Sequence, residues 1–315
     1  MSKLGSPRAA RGACRRARRR PLFYLLTVLA LLLIVDLALQ LVLRELNVAW
    51  LDELYQRTGS QQPPYIELRP GAQLEYSGML GRLEPTSIRI NSTGFRDFER
   101  PWDGPDQGLR IACVGDSYTM GLGVELEQAF PAQLEKRCRE VGRDDARVFN
   151  AGVAAYSMFD YPRYLRTAVT RLEPDLIVLQ ICGNDATPAA SARSRLWWAV
   201  MRLARFSGLA KGLLFFQSEQ QDLEGYGQAL DETLAACRTL APQTLVWVQS
   251  FPEQTEGITR ELSERHGARI VDLEGFAPQT LPDDPHYAPQ SYAELARIVY
   301  EQLMQAPSGS QDGAL

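Results

Sequence analysis

Ser117 is the residue of this chain best placed to act as a nucleophile. It closes the run IACVGDS (residues 111–117), an apolar stretch that breaks at Gly115 and then offers Asp116 and Ser117. A glycine permits a tight turn, and a helix starting there aims free N–H groups and a partial positive charge at it. A serine hydroxyl is a weak nucleophile until a base takes its proton, and the base needs a third group to orient it. The chain has only two histidines. His266, in SERHGAR, precedes Gly267 at a helix end, where a solvated imidazole favoured by the helix dipole is expected. His286, in LPDDPHYAPQSYAELA, lies in a loop before the last helix, with Asp283 three residues before it and Asp284 two. A carboxylate on one ring nitrogen fixes the tautomer, so that the other nitrogen accepts the serine proton. Beside Pro285 both aspartates also suit ordinary loop chemistry.

An acyl-transfer site also needs donors aimed at a developing oxyanion. The Ser117 N–H, the Gly152 N–H of FNAGV and the side-chain amide of Asn184 in QICGNDA are the candidates. Two rival readings of the turn fail on spacing. Gly115, Gly121 and Gly123 fit neither G-x-G-x-x-G nor G-x-x-x-x-G-K-[ST], and no lysine follows. A third, Ser117 as a simple helix cap, would be favoured for an isolated serine. Partners at other strand ends weaken it.

The elements that must bring these residues together form a regular series. RIACVG, ARVFNAG, PDLIVLQICGND, TLVWVQS and ARIVDL read as five strands, several of them continuous apolar runs. Helical patterns alternate with them: AFPAQLEKRCREVG, with Phe130, Leu134 and Cys138 on one face, YPRYLRTAVTRL, segments around Arg195 to Leu214 and Leu223 to Leu240, one ending near His266, and one from about Pro289 to Gln305. Such alternation predicts an α/β fold with a parallel sheet covered on both faces. Ligands in these sheets bind beyond the carboxyl ends of the strands, where Ser117, Gly152, Asn184 and the His286 loop all fall.

The chain is 315 residues long, 45% hydrophobic and 23% charged, enough to bury a sizeable core. Its net charge of -4 hides an asymmetry, because residues 1–20 hold Lys3, Arg8, Arg11, Arg15, Arg16, Arg18, Arg19 and Arg20 and no acid. That is +8, leaving -12 for residues 21–315. The 22 residues Leu22 to Leu43 are almost wholly apolar, and a membrane span needs about 20. With the basic flank retained on the cytoplasmic side, the N-terminus stays inside and the rest lies outside. A cleaved secretory signal shares this order, but the run is long for one and no A-x-A-like site follows. Asp36 and Gln40 are out of place in such a span. The acidic exterior argues against a nucleic-acid partner.

Residues 1–21 are thus expected to be a basic cytoplasmic tail, 22–43 a transmembrane anchor, 44–107 a stalk with short strands such as TSIRIN (86–91), 108–306 the main domain and 307–315 a disordered tail. NST at Asn91 fits a glycosylation acceptor. Cys113, Cys138, Cys182 and Cys237 would lie outside the cytoplasm and allow three pairings; Cys113 and Cys182 fall in apolar runs, which favours buried thiols.

The motifs together resemble the SGNH hydrolases, the GDSL lipase and esterase family: GDS at 115–117, Gly152 in the second block, GND at 183–185, and DDPH at 283–286 carrying D-x-x-H, over Arg110 to Met304. The resemblance implies a three-layer α/β/α flavodoxin-like fold and a triad of Ser117, His286 and Asp283. It also implies an oxyanion hole from Ser117, Gly152 and Asn184, with no metal or cofactor. Some relatives place the acid two residues before the histidine, so Asp284 competes with Asp283. HYAPQSY replaces the usual continuation after the histidine. INSTGFRD (90–97) looks like the lead-in of bacterial membrane-anchored members.

The expected function is a serine esterase in the inner membrane, acting outside the cytoplasm on O-acylated envelope glycan or lipid esters. An O-acyltransferase using the same triad and a non-catalytic binding or assembly module are the alternatives. Ser191 to Phe216, with Trp197, Trp198, Phe206, Phe215 and Phe216 among basic residues, reads as helix packing or, more sharply, as a lid or membrane-leaning surface.

Overall fold

The structure, a computed structural model, describes residues 7–42, 53–60, 62–78, 81–100, 108–188, 203–204, 206–210, 221–249 and 253–304, with side chains from residue 23 onward. Five parallel strands, β5 (Arg110–Gly115), β6 (Arg147–Gly152), β7 (Leu176–Ile181), β8 (Gln243–Val248) and β9 (Arg269–Ile270), pair in the order β6-β5-β7-β8-β9. This is the flavodoxin-like order, with the switch point between β5 and β7. All six residues of β7 are buried, as a strand covered on both faces requires.

The helices that cover the sheet follow their apolar spacing. The helix Leu223–Leu240 is capped by Asp222, whose carboxylate accepts from the Gly225 N–H, and it buries Tyr226, Leu230, Leu234 and Cys237. Phe130–Glu140 buries Phe130, Leu134 and Cys138 as expected, and Pro289–Met304 buries Tyr292, Leu295, Val299 and Leu303 against the same core. The pattern YPRYLRTAVTRL splits into an α-helix, Tyr161–Thr167, and a 3-10 turn, Val169–Leu172. The helix expected around Arg195 to Leu214 falls mostly outside the described residues, as do Trp197, Trp198, Phe215 and Phe216. Cys113, Cys138, Cys182 and Cys237 are buried free thiols.

The strand β6 is an edge, and its outward N–H groups are each met by a side-chain oxygen. Val148 N–H donates to Glu135, Asn150 N–H to Asp97 (3.3 Å) and Gly152 N–H to Asn150 Oδ1 (3.1 Å). Carboxylates along this edge satisfy its donors and block pairing with another strand.

Chain contacts divide the molecule into two units. Residues 1–46 with 199–217 form one, and 47–198 with 218–315 the other. In the first, the helix Pro7–Val42 contains a stretch long and apolar enough to cross a membrane, Phe23–Val42, of mean hydropathy 2.6. In the second, the residues before β5 form two small antiparallel hairpins, β1 (Tyr55–Arg57) with β2 (Ile66–Leu68), and β3 (Gln73–Tyr76) with β4 (Thr86–Arg89). The expected strand TSIRIN is β4. Asn91 organises the turn that follows: its Oδ1 accepts from Thr93 N–H, Thr93 Oγ1 and Phe95 N–H, and its Nδ2 donates to Phe98 O. With the side chain 9% exposed and so engaged, Asn91 is a turn residue and not a sugar acceptor.

This turn delivers Arg96 into the protein. Fully buried, its guanidinium donates to the carbonyls of Met120 (2.8 Å), Gly121 (2.5 Å), Val124 (2.7 Å) and Ser87 (3.3 Å). Burial pushes its pKa down to about 10, so the charge persists at neutral pH, held by carbonyl dipoles. Three of those carbonyls belong to the loop just after Ser117. Replacing Arg96 by Ala strands them without donors and is expected to lower the unfolding free energy of a fragment starting at Asn47 by on the order of 3 kcal/mol, read by chemical denaturation. Lysine, a point charge without the planar fork, should recover less than half of the loss.

Candidate active site

Ser117 opens a single helical turn, Ser117–Met120, immediately beyond β5. Asp116 caps that turn through Tyr118 N–H, and Gly121, at φ 83°, ends it in the left-handed region that favours glycine. The turn packs so closely on β6 that a Cβ on Gly152 would collide with the backbone of Thr119 and Met120. Gly152 is required here by contact, whatever its N–H does. Below the turn Gln180, wholly buried near the carboxyl end of β7, accepts from Asp116 N–H (3.0 Å) and Thr119 Oγ1 (3.0 Å).

The loop before the last helix brings His286 to this turn. His286 Nε2 lies 2.8 Å from Ser117 Oγ, and Nδ1 lies 2.5 Å from Asp284 Oδ1. The same Oδ1 accepts the His286 backbone N–H at 3.0 Å, so one carboxylate fixes both the ring and the loop. Burial works against a charge on Asp284, but the hydrogen bonds and positive charge of His286 outweigh it and hold the carboxyl below its ordinary range. Tyr118 completes the cradle: its ring stands 4.9 Å from the imidazole and its hydroxyl donates to Pro285 O at 3.0 Å.

Asp283, the acid expected from the D-x-x-H spacing, does not reach His286. It sits at φ 56°, its side chain is 67% exposed, and it faces Arg82 at 3.9 Å. The left-handed kink at Asp283 turns its carboxylate outwards and the next one inwards, and aspartate tolerates this conformation better than most residues. His266 is not part of the site. Its Nε2 contacts Asp231 Oδ1 at 2.9 Å, so it is tied to the helix Leu223–Leu240 rather than freely solvated.

The three expected oxyanion donors differ in state. The Ser117 N–H has no acceptor among the described residues, as befits the first N–H of a helix. The Gly152 N–H is held by Asn150 Oδ1. Asn184 is exposed, and its Oδ1 contacts Cys182 Sγ, which leaves its NH2 without a hydrogen bond among the described residues. Cys182 Sγ also lies 3.0 Å from Asp116 Oδ2. Burial, then the nearby Asp116, push the Cys182 thiol well up, so it stays protonated and serves as a donor. Asp185, wholly buried, accepts Cys182 N–H at 2.8 Å, and burial followed by the Asp116 charge pushes its pKa well up. Among the described residues no group of three or more His, Cys, Asp or Glu side chains is arranged to hold a metal ion.

Arg96, Asn150, Gln180 and Tyr118 support this site without having been singled out in the sequence, and Cys182, expected only as a buried thiol, supports it too. Gln180 left a trace there, the one polar residue inside LIVLQI, and Arg96 another, inside INSTGFRD. The contacts that give them meaning are tertiary.

The model of the GDSL-like lipase/acylhydrolase family matches residues 113–301, more than half of the chain. Among solved structures the chain is similar to TesA (20% identity, TM-score 0.46, covering 61% of this chain and 97% of that one). It is similar to Axe2, an acetylxylan esterase from Geobacillus stearothermophilus (17%, 0.43, 62% and 94%), and to AlinE4, an SGNH-hydrolase family esterase (20%, 0.40, 64% and 97%). No curated protein matches the chain.

The β6 edge that carries Gly152 has its own pH signature. Burial pushes Asp97 up from 3.8 to about 6, although Arg100 and two backbone N–H groups favour its charge. Between these values the folded chain holds a proton that the unfolded chain has released. Stability therefore falls as pH rises from about 4 to about 6 and levels off above. Thermal melting of wild type and Asp97→Asn across this window should show a shallower fall in the variant.

Proposed function

The chain belongs to the GDSL-like lipase/acylhydrolase family and is an ester-cleaving serine hydrolase; from that premise we propose that it is a membrane-anchored esterase acting outside the cytoplasm, with Ser117, His286 and Asp284 as its catalytic triad. The observation that carries this reading is the continuous hydrogen-bonded chain from Asp284 Oδ1 through both imidazole nitrogens to Ser117 Oγ, at the carboxyl edge of a parallel sheet.

In the proposed reaction Ser117 Oγ attacks the ester carbonyl while His286 Nε2 takes its proton. Asp284 holds Nδ1–H and stabilises the imidazolium that forms. The tetrahedral oxyanion is met by Ser117 N–H at the helix start and by the Asn184 amide, with Gly152 N–H joining as it loosens from Asn150. His286 returns the proton to the leaving alcohol, leaving Ser117 acylated. It then takes a proton from a water whose oxygen attacks the acyl carbonyl, and returns that proton to Ser117 Oγ as the C–Oγ bond breaks and the acid leaves. Asp283 takes no part.

Residues 22–43 are the anchor in this reading, with the basic segment 1–21 cytoplasmic and the hydrolase unit outside. The anchor and the outward placement of the hydrolase unit support O-acyl groups on an envelope glycan as substrates, with lipid esters next.

Treatment with a fluorophosphonate followed by intact mass measurement should give one adduct in the wild type and none in Ser117→Ala. An unmodified wild type that is folded would overturn the reading. Asp284→Asn is expected to lower kcat on a short-chain ester by about a thousandfold or more, whereas Asp283→Asn stays within about threefold. The reverse order would return the acid to Asp283.

A further inference from the structure

The span Phe23–Val42 carries two residues that a simple anchor does not need, Asp36 and Gln40. Both are used. Asp36 Oδ1 accepts from Ser207 Oγ (2.6 Å) and from Leu209 N–H (3.0 Å), while Gln40 Nε2 donates to Phe206 O (2.8 Å) and to Asp36 Oδ2 (2.7 Å). Ser207 Oγ also accepts Ala210 N–H at 3.2 Å, closing a small turn over the carboxylate. Gly208 lies against the helix backbone itself, where a Cβ would collide with Asp36 O and Gln40 N. A glycine at such a crossing is how helices in membranes bring backbones together.

Residues 206–210 belong to an excursion of the hydrolase chain. It leaves β7 just after Asn184 and returns at the helix cap Asp222, whose N–H donates to Ala186 O at 2.8 Å and so closes its root. Between Ala189 and Ser218 its sequence holds Arg193, Arg195, Arg202, Arg205 and Lys211 and no acid. Leu203 and Phe206 are 57% and 78% exposed.

Depth follows from helix rise. Asp36 is six residues from Val42 and Gln40 two, so at 1.5 Å per residue they lie about 9 Å and about 3 Å inside the end of the span. Groups bonded to them share that depth, which is where interfacial segments bury their apolar faces, about 5–10 Å into the headgroup boundary.

We propose that Phe206–Ala210 form a membrane strap, seated on Asp36 and Gln40 of the anchor within the outer boundary of the bilayer. The exposed Phe206 and Leu203 then face acyl chains. The intramembrane carboxylate is satisfied by the strap and not by a proton path. The inference rests on the anchor reading above.

The test uses the full chain, with Cys14→Ser, in nanodiscs of phosphatidylethanolamine and phosphatidylglycerol. Single spin labels at Phe206→Cys, Leu33→Cys in the span and Glu274→Cys on the water-exposed surface are compared for collision with oxygen and with a water-soluble nickel chelate. The strap places Phe206 with Leu33 in lipid. Asp36→Ala or Gly208→Val, one on each side of the contact, should raise nickel access at 206 about tenfold towards that of Glu274, as loss of the polar contacts frees the segment. Phe206 in water with Leu33 in lipid overturns the strap and leaves the anchor intact. Leu33 in water overturns both. Phe206 in lipid but indifferent to both substitutions overturns the seating on Asp36.

Discussion

Among the described residues the buried Arg96 guanidinium forms no ion pair, and four backbone carbonyls hold its charge. Three of them lie on the last residue of the Ser117 turn and the loop that follows it, and the fourth on β4. Because a guanidinium left short of acceptors in the interior is costly, those carbonyls have little freedom to move. The loop is therefore fixed from behind, the helical turn in front of it is fixed through Gly121, and Ser117 Oγ points at His286. The hairpins before β5 contribute to the site in this way, through Ser87 and the turn that delivers Arg96.

The His286 loop shows the same economy from the other side. One oxygen of Asp284 takes both the imidazole and the backbone of His286, so ring orientation and loop shape are a single interaction. Tyr118 locks the ring from its face and ties Pro285, which couples the loop to the residue next to the nucleophile. The Asn150 side chain holds Gly152 N–H at the free edge of β6 in the absence of a substrate. A donor so occupied is available to an oxyanion only by exchange, whereas the Ser117 N–H needs none.

The polar residues of the apolar helix make a related point. A carboxylate in hydrocarbon is expensive unless it is fully bonded. Ser207, Leu209 and Gln40 bond Asp36, and Gly208 provides the close approach that lets them do so. Residues about 170 apart in sequence thus explain each other, and neither is intelligible alone.

Sequence periodicity by itself determined the five strands, their parallel arrangement and the carboxyl edge on which Ser117, Gly152, Asn184 and His286 fall. Continuous apolar runs alternating with amphipathic helices admit few other layouts. It also marked the one stretch long enough to span a membrane. It left the choice between Asp283 and Asp284 open, since both stand within reach of His286 along the chain. Only the folded loop, with its left-handed residue at Asp283, turned one carboxylate out to water and the other in. Arg96, Gln180 and the contacts of Asp36 belong to the same class. Their roles depend on groups distant in sequence, and a local pattern of residue types carries no record of which distant groups the fold brings near.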